Sequence, residues 1–92
     1  MRLDAKTDAN QKDIVDALRK AGATVLILSR VGQGCPDIAV GYHGHNYFLE
    51  VKTDKGKLTQ EEHEFFSTWR GSAAVVHSVD EALAFIEGDW EP

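Results

Sequence analysis

The stretch CPDIAVGYHGHNYFLEVKT, residues 35–53, decides how the chain is read. Two apolar runs, DIAV (37–40) and NYFLEVK (46–52), flank the short segment GYHGH (41–45). That pattern predicts an antiparallel hairpin. With its tight turn at His43-Gly44, Ile38 falls opposite Leu49, Ala39 opposite Phe48, and Asp37 opposite Glu50. Opposed side chains on antiparallel strands share a face, with Cβ atoms about 4.5–5.5 Å apart. Lys52, two residues beyond Glu50, shares it as well. Like charges so placed repel. A divalent cation would offset them, since Mg²⁺ binds through one or two carboxylates and keeps several waters. The plainer reading is a turn acid beside Pro36 and a solvated strand glutamate paired with Lys52. The apolar flanks of both acids and the converging lysine favour the first reading.

Outward from the hairpin, TVLILS (24–29) is a continuous apolar run that reads as a buried strand, and RVGQGCP (30–36) is a Gly-rich loop. Before them, Asp8 and Gln11 resemble a capping box, Ile14, Val15 and Leu18 form a helical stripe, and Gly22 can end the helix. After the hairpin, TDKGK (53–57) is a loop, and Thr59 with Glu62 caps a helix expected to reach about Arg70. Phe65, Phe66 and Trp69 read as its core face. AAVVH (73–77) is a further strand, and Ser78 with Glu81 opens a short final helix. The order αβββαβα predicts an α/β domain, a central mixed sheet flanked by helices.

The chain has 92 residues, enough for one compact domain, with 42% apolar residues. A domain this small is marginal, and pairing with a second copy would help it. There is no apolar run long enough to span a membrane, and MRLDAKTDANQKD lacks a signal peptide's apolar stretch. One cysteine excludes an intramolecular disulfide and fits a reducing cytoplasm. The net charge of −5 argues mildly against a nonspecific nucleic-acid coat. Five of the acids lie within residues 80–91, which hold no base, so the remaining chain balances ten acids against ten bases.

Pro36-Asp37 followed by Glu50-Val51-Lys52 resembles the PD-(D/E)xK nuclease superfamily. More narrowly, GCPDI (34–38), FLEVK (48–52), KLT (57–59) and the helix running to Trp69 resemble the VRR-Nuc domain. The likeness spans about residues 8–87, and small stand-alone members resemble Holliday-junction resolvases in layout. It implies a restriction-endonuclease-like core that hydrolyses DNA phosphodiester bonds with Mg²⁺ or Mn²⁺, selectively on branched DNA. Asp37 and Glu50 would hold the metal, with the backbone carbonyl of Val51 as a further ligand. The metal polarises phosphate and lowers the pKa of bound water. Lys52 would orient that water or stabilise charge developing on phosphate. The superfamily's first helix usually adds a glutamate, and the matching position here holds Gln11. A glutamine brings no charge, which would weaken metal affinity or remove a second metal site. Gln11 is equally well read as a plain capping residue.

Arg30, Lys55, Lys57 and Arg70 are candidates for sequence-independent phosphate contacts, and Gly32 and Gly34 for close backbone approach to phosphate. Each is as readily a solvated charge or a flexible connection. Many relatives carry a glutamine in the helix after KLT; Gln60, Glu62 and His63 all lie near that position. His43 and His45 have the spacing of a metal pair but read better as turn residues. Cys35 has no histidine placed to activate it, so packing is its expected role. Trp90 lacks a core pattern and could touch a partner subunit. Two cuts in a branched substrate favour a homodimer. The rival readings are a noncatalytic module that binds branched DNA or a protein, and an RNA endonuclease.

Overall fold

A computed structural model describes residues 5–89. Seven elements follow the expected order: α1 (Ala5–Lys20), β1 (Thr24–Ile27), β2 (Ile38–Tyr42), β3 (His45–Val51), α2 (Gln60–Thr68), β4 (Ala73–Val76) and α3 (Val79–Glu87). The four strands form one sheet in sequence order. β1–β2 and β2–β3 pair antiparallel and β3–β4 parallel, so the sheet is mixed. No helix among the described residues is long and apolar enough to cross a membrane.

The hairpin register is the expected one, with Ile38 opposite Leu49 and Ala39 opposite Phe48. His43 (φ 49°) and Gly44 (φ 80°) both take left-handed backbone, as a two-residue type I′ turn requires. That turn carries the strands right up to Tyr42 and His45, further toward the tip than the sequence pattern suggested. His43 stacks on Tyr42 with ring centroids 3.9 Å apart.

Strand alternation sends Ile38, Val40, Leu49 and Val51 to one face, where they meet Ile14, Val15 and Leu18 of α1 and Ala82 and Ile86 of α3. All of these are buried, and this is the core. Gly22 (φ 101°) ends α1, and the amide of Ala23 returns to the Leu18 carbonyl at 3.0 Å. On the opposite face Phe48 meets Phe65 and Trp69, ring centroids 5.9 and 4.9 Å away.

Four expectations need correction. β1, read as a buried strand, is an edge strand whose side chains are largely exposed. α1 already runs from Ala5, so Asp8 lies inside the helix and does not cap it. α2 ends at Thr68, and Trp69 is its extended C-cap. No α2 residue is fully buried, and Trp69 is 45% exposed, so Phe65, Phe66 and Trp69 form a half-covered layer rather than a core face. The Thr59–Glu62 capping box is complete. At α3 only half a box forms: the Ser78 hydroxyl accepts from the Glu81 amide, while the Glu81 carboxylate accepts from the His77 amide at 2.8 Å. Trp90 lies outside the described residues.

Candidate active site

One step beyond the last ladder pair of the hairpin, Asp37 and Glu50 come together at the end of the sheet. Asp37 precedes β2, and its Oδ2 accepts a hydrogen bond from the Val51 amide at 2.8 Å. That amide would otherwise point past the end of β2 without a ladder partner. In an extended strand a residue's carbonyl lies on the same edge as its N–H, so the Val51 carbonyl is directed to Asp37's side. Glu50 is 2% exposed. Its Oε2 lies 3.3 Å from Lys52 Nζ, and the same ammonium lies 3.0 Å from Glu62 Oε1. Glu62 Oε1 also accepts from the Thr59 amide at 2.8 Å. The glutamate that completes the α2 capping box thus holds Lys52 against Glu50.

Three carboxylates around one ammonium cannot all ionise cheaply in a buried site. Burial, a hydrogen bond with Glu62 and the charges of Asp37 and Glu62 push Glu50 up to about 8, with Lys52 opposing. Burial also raises Asp37, although the Val51 amide and Lys52 pull the other way. For Lys52 burial favours the neutral form, but Glu62 and Glu50 outweigh it and hold the ammonium charged. For Glu62 burial is outweighed by hydrogen bonds from Glu50, the Thr59 amide and Lys52, which set it below the usual carboxylate range. Burial first, then the charges of Glu50 and Asp37, raises the Cys35 thiol. Its thiolate is disfavoured, which fits packing rather than nucleophilic chemistry.

Glu50 Oε1 is buried and has no hydrogen-bond donor among the described residues. A proton or a cation would satisfy it. The donor set is all oxygen, which suits a hard divalent ion. Among the described residues no group of three or more His, Cys, Asp and Glu side chains is arranged to hold a metal. An ion here would therefore rest on Asp37, Glu50 and the Val51 carbonyl, with water completing its shell.

The other candidates are dispersed. Gln11 on α1 donates to the Ser29 hydroxyl at 3.5 Å, a contact that ties the helix to the chain just past β1. Arg30, Lys55, Lys57 and Arg70 are all exposed. Gly32 (φ 73°) has open space around it. Gly34 (φ 78°) is used differently from expectation: a Cβ there would collide with the backbone carbonyl of Glu61. Its bare backbone lets the loop before Asp37 seat against the first turn of α2. Of the three helix positions left open by the sequence, Glu62 is the one that reaches the site.

No family profile matches the chain, and no curated protein matches it. The fold is a small mixed-sheet α/β domain that brings Asp37, Glu50 and Lys52 together at the end of its sheet. A solved structure described as a VRR_NUC domain superposes with a TM-score of 0.72 at 29% identity, covering 95% of this chain and all of that one. The chain is thus similar in fold and in sequence to a VRR-Nuc domain. Nuclease folds in general work with a divalent metal, and the likeness points to DNA as the substrate class.

Proposed function

We propose that this protein is a Mg²⁺- or Mn²⁺-dependent endonuclease that hydrolyses DNA phosphodiester bonds, selectively in branched DNA, as a homodimer. The observation that carries the reading is the buried Glu50, its Oε1 without a hydrogen-bond partner among the described residues, set beside the half-buried Asp37 and the Lys52 ammonium. Asp37 and Glu50 would hold the ion with the Val51 carbonyl, and the bound ion would polarise the phosphate and acidify a water. Lys52 faces the same space as a fixed positive charge, suited to the negative charge that grows on phosphate as water adds and the P–O bond breaks. Glu62 keeps that ammonium in place. The exposed Arg30, Lys55, Lys57 and Arg70 would contact the DNA backbone, giving salt-sensitive binding governed by shape. A role in the cytoplasm of a bacterial or phage-infected cell fits this chemistry.

The test uses labelled four-way junction, flap, duplex and single-stranded DNA, with a matching RNA, in Mg²⁺ and Mn²⁺ separately. Cutting of a branched form, lost in Asp37→Ala and Lys52→Ala, is the expected result. Preferential RNA cleavage would redirect the substrate. Tight binding with no cutting in either metal would sink the enzymatic reading and leave a noncatalytic binding module.

A further inference from the structure

We propose that His77, aimed by Glu81, contacts the DNA phosphate that flanks the scissile one, on the β4 side of the site. The contact presupposes the nuclease reading above and adds a residue that the metal site does not use. β3 and β4 run parallel, with Glu50 opposite Val75 and Val51 opposite Val76. The Lys52 amide continues that ladder to the Val76 carbonyl at 3.1 Å, which sets His77 beside Lys52. Burial alternates along β4, with Ala74 and Val76 in the core and Val75 on the other face. His77 falls next in that alternation, on the face that carries Glu50 and Lys52. Asp37, Lys52 and His77 therefore stand at one end of three consecutive strands, β2, β3 and β4. Strand spacing sets the His77 backbone roughly 5 Å beyond that of Lys52 and roughly 10 Å beyond that of Asp37. A DNA strand laid across this end, with its scissile phosphate at Asp37 and Glu50, passes His77 next.

Contacts from two helices fix His77. Its carbonyl accepts from Asn10 Nδ2 of α1 at 3.1 Å. Its amide donates to Glu81 Oε1 of α3 at 2.8 Å, and the same oxygen lies 3.0 Å from the ring's Nδ1. The amide bond would form with any residue at this position; the ring bond needs histidine. Nε2 is left without a partner among the described residues, on a side chain that is 36% exposed. For Glu81 burial is outweighed by hydrogen bonds from the His77 amide and ring, which set it below the usual carboxylate range. A carboxylate on Nδ1 makes that nitrogen the donor and leaves Nε2 to meet a ligand. In the imidazolium both nitrogens donate, Nδ1 to Glu81 and Nε2 outward. Phosphate oxygen is the acceptor that a nucleic-acid backbone presents there. Lys52 does not serve this second phosphate, because Glu50 and Glu62 already share its ammonium.

The experiment follows the fluorescence anisotropy of a labelled four-way junction with the purified full chain in EDTA, over a series of salt concentrations. It is run at about pH 6, on the acid side of the usual imidazole range. Cutting is then measured in Mg²⁺, with circular dichroism as the folding check. His77→Ala should stay folded, since its amide still reaches Glu81, and should bind roughly tenfold more weakly at low salt. Its salt slope should fall by about 0.9, the share of one phosphate contact. In Mg²⁺ its KM should rise by a similar factor while kcat stays within about twofold. His77→Arg should recover both affinity and slope. If His77→Ala fails to fold, His77→Phe, which keeps a ring without nitrogens, serves in its place. A wild type that binds and cuts, with a His77→Ala of equal affinity and slope, overturns the contact and leaves the nuclease reading standing. A His77→Arg as weak as His77→Ala also overturns it, because a loss that charge does not restore is structural. A wild type that binds through His77 and cuts nothing sinks only the chemistry, and one that binds no DNA sinks both.

Discussion

Without metal, the fold should weaken as pH rises from about 5 to 8, and Glu50 should be the cause. Its folded-state value of about 8 exceeds the ordinary 4.5 because burial and neighbouring carboxylates disfavour the charged form. For an acid raised on folding, the native state binds more protons than the unfolded state between those values. Stability is then present at low pH and falls as pH rises. Each pH unit in that window is worth about 1.4 kcal/mol, so the whole span is on the order of 5 kcal/mol. That is a large share of a small domain's total stability. Asp37, also raised, acts in the same direction. Glu62, lowered, acts oppositely, its contribution being lost as pH falls through the acid range. Comparison with Glu50→Gln removes most of these background terms. Urea melts in EDTA at pH 5, 6.5 and 8 should show wild type losing at least about 2 kcal/mol more than the variant. Adding Mg²⁺ at pH 8 should stabilise wild type, by about 2.7 kcal/mol at a hundred times its dissociation constant, and leave Glu50→Gln unmoved. Parallel pH slopes for the two proteins would refute the buried-acid argument, and equal Mg²⁺ responses would refute Glu50 as a ligand.

The other predictions concern how the site is held. Glu62→Ala loses the acceptor for the Thr59 amide, half of the α2 capping box, together with the Lys52 partner, and should cost about 1 kcal/mol in denaturant melts, whereas Glu62→Gln should retain most of the capping. Gly34→Ala places a Cβ against the Glu61 carbonyl at a left-handed backbone position, and should cost more than about 1 kcal/mol by the same measure. Leu49→Ala empties the core beneath the site, and a loss of about 2–5 kcal/mol is expected. Asp37→Asn keeps an oxygen that can accept from the Val51 amide, so it should fold normally by circular dichroism while its cutting of branched DNA disappears.

Much of the site was legible in residues 35–53 alone. A His-Gly pair between two apolar runs dictates a tight turn, and a tight turn fixes which residues face each other. Asp37, Glu50 and Lys52 follow from that local rule, as the capping box at Thr59 follows from a three-residue spacing. The extent of α1 was not legible, because Asp8 can cap a helix or sit inside one with the same neighbours. The aromatic stripe of α2 was misread for a related reason. A 3.6-residue period says that one helix face is apolar and says nothing about how much of the sheet covers it.

The sequence by itself determined the element order, the hairpin register and the opposition of two carboxylates, because these depend on period, turn geometry and spacing over a few residues. Only the tertiary structure decided that Glu62 closes on Lys52, that Gly34 seats against Glu61, that Gln11 reaches Ser29, and that the face around Leu26 and Trp69 stays open. Each of these joins segments far apart in the chain or depends on what fails to cover them, and no local pattern encodes a distance between two separate elements.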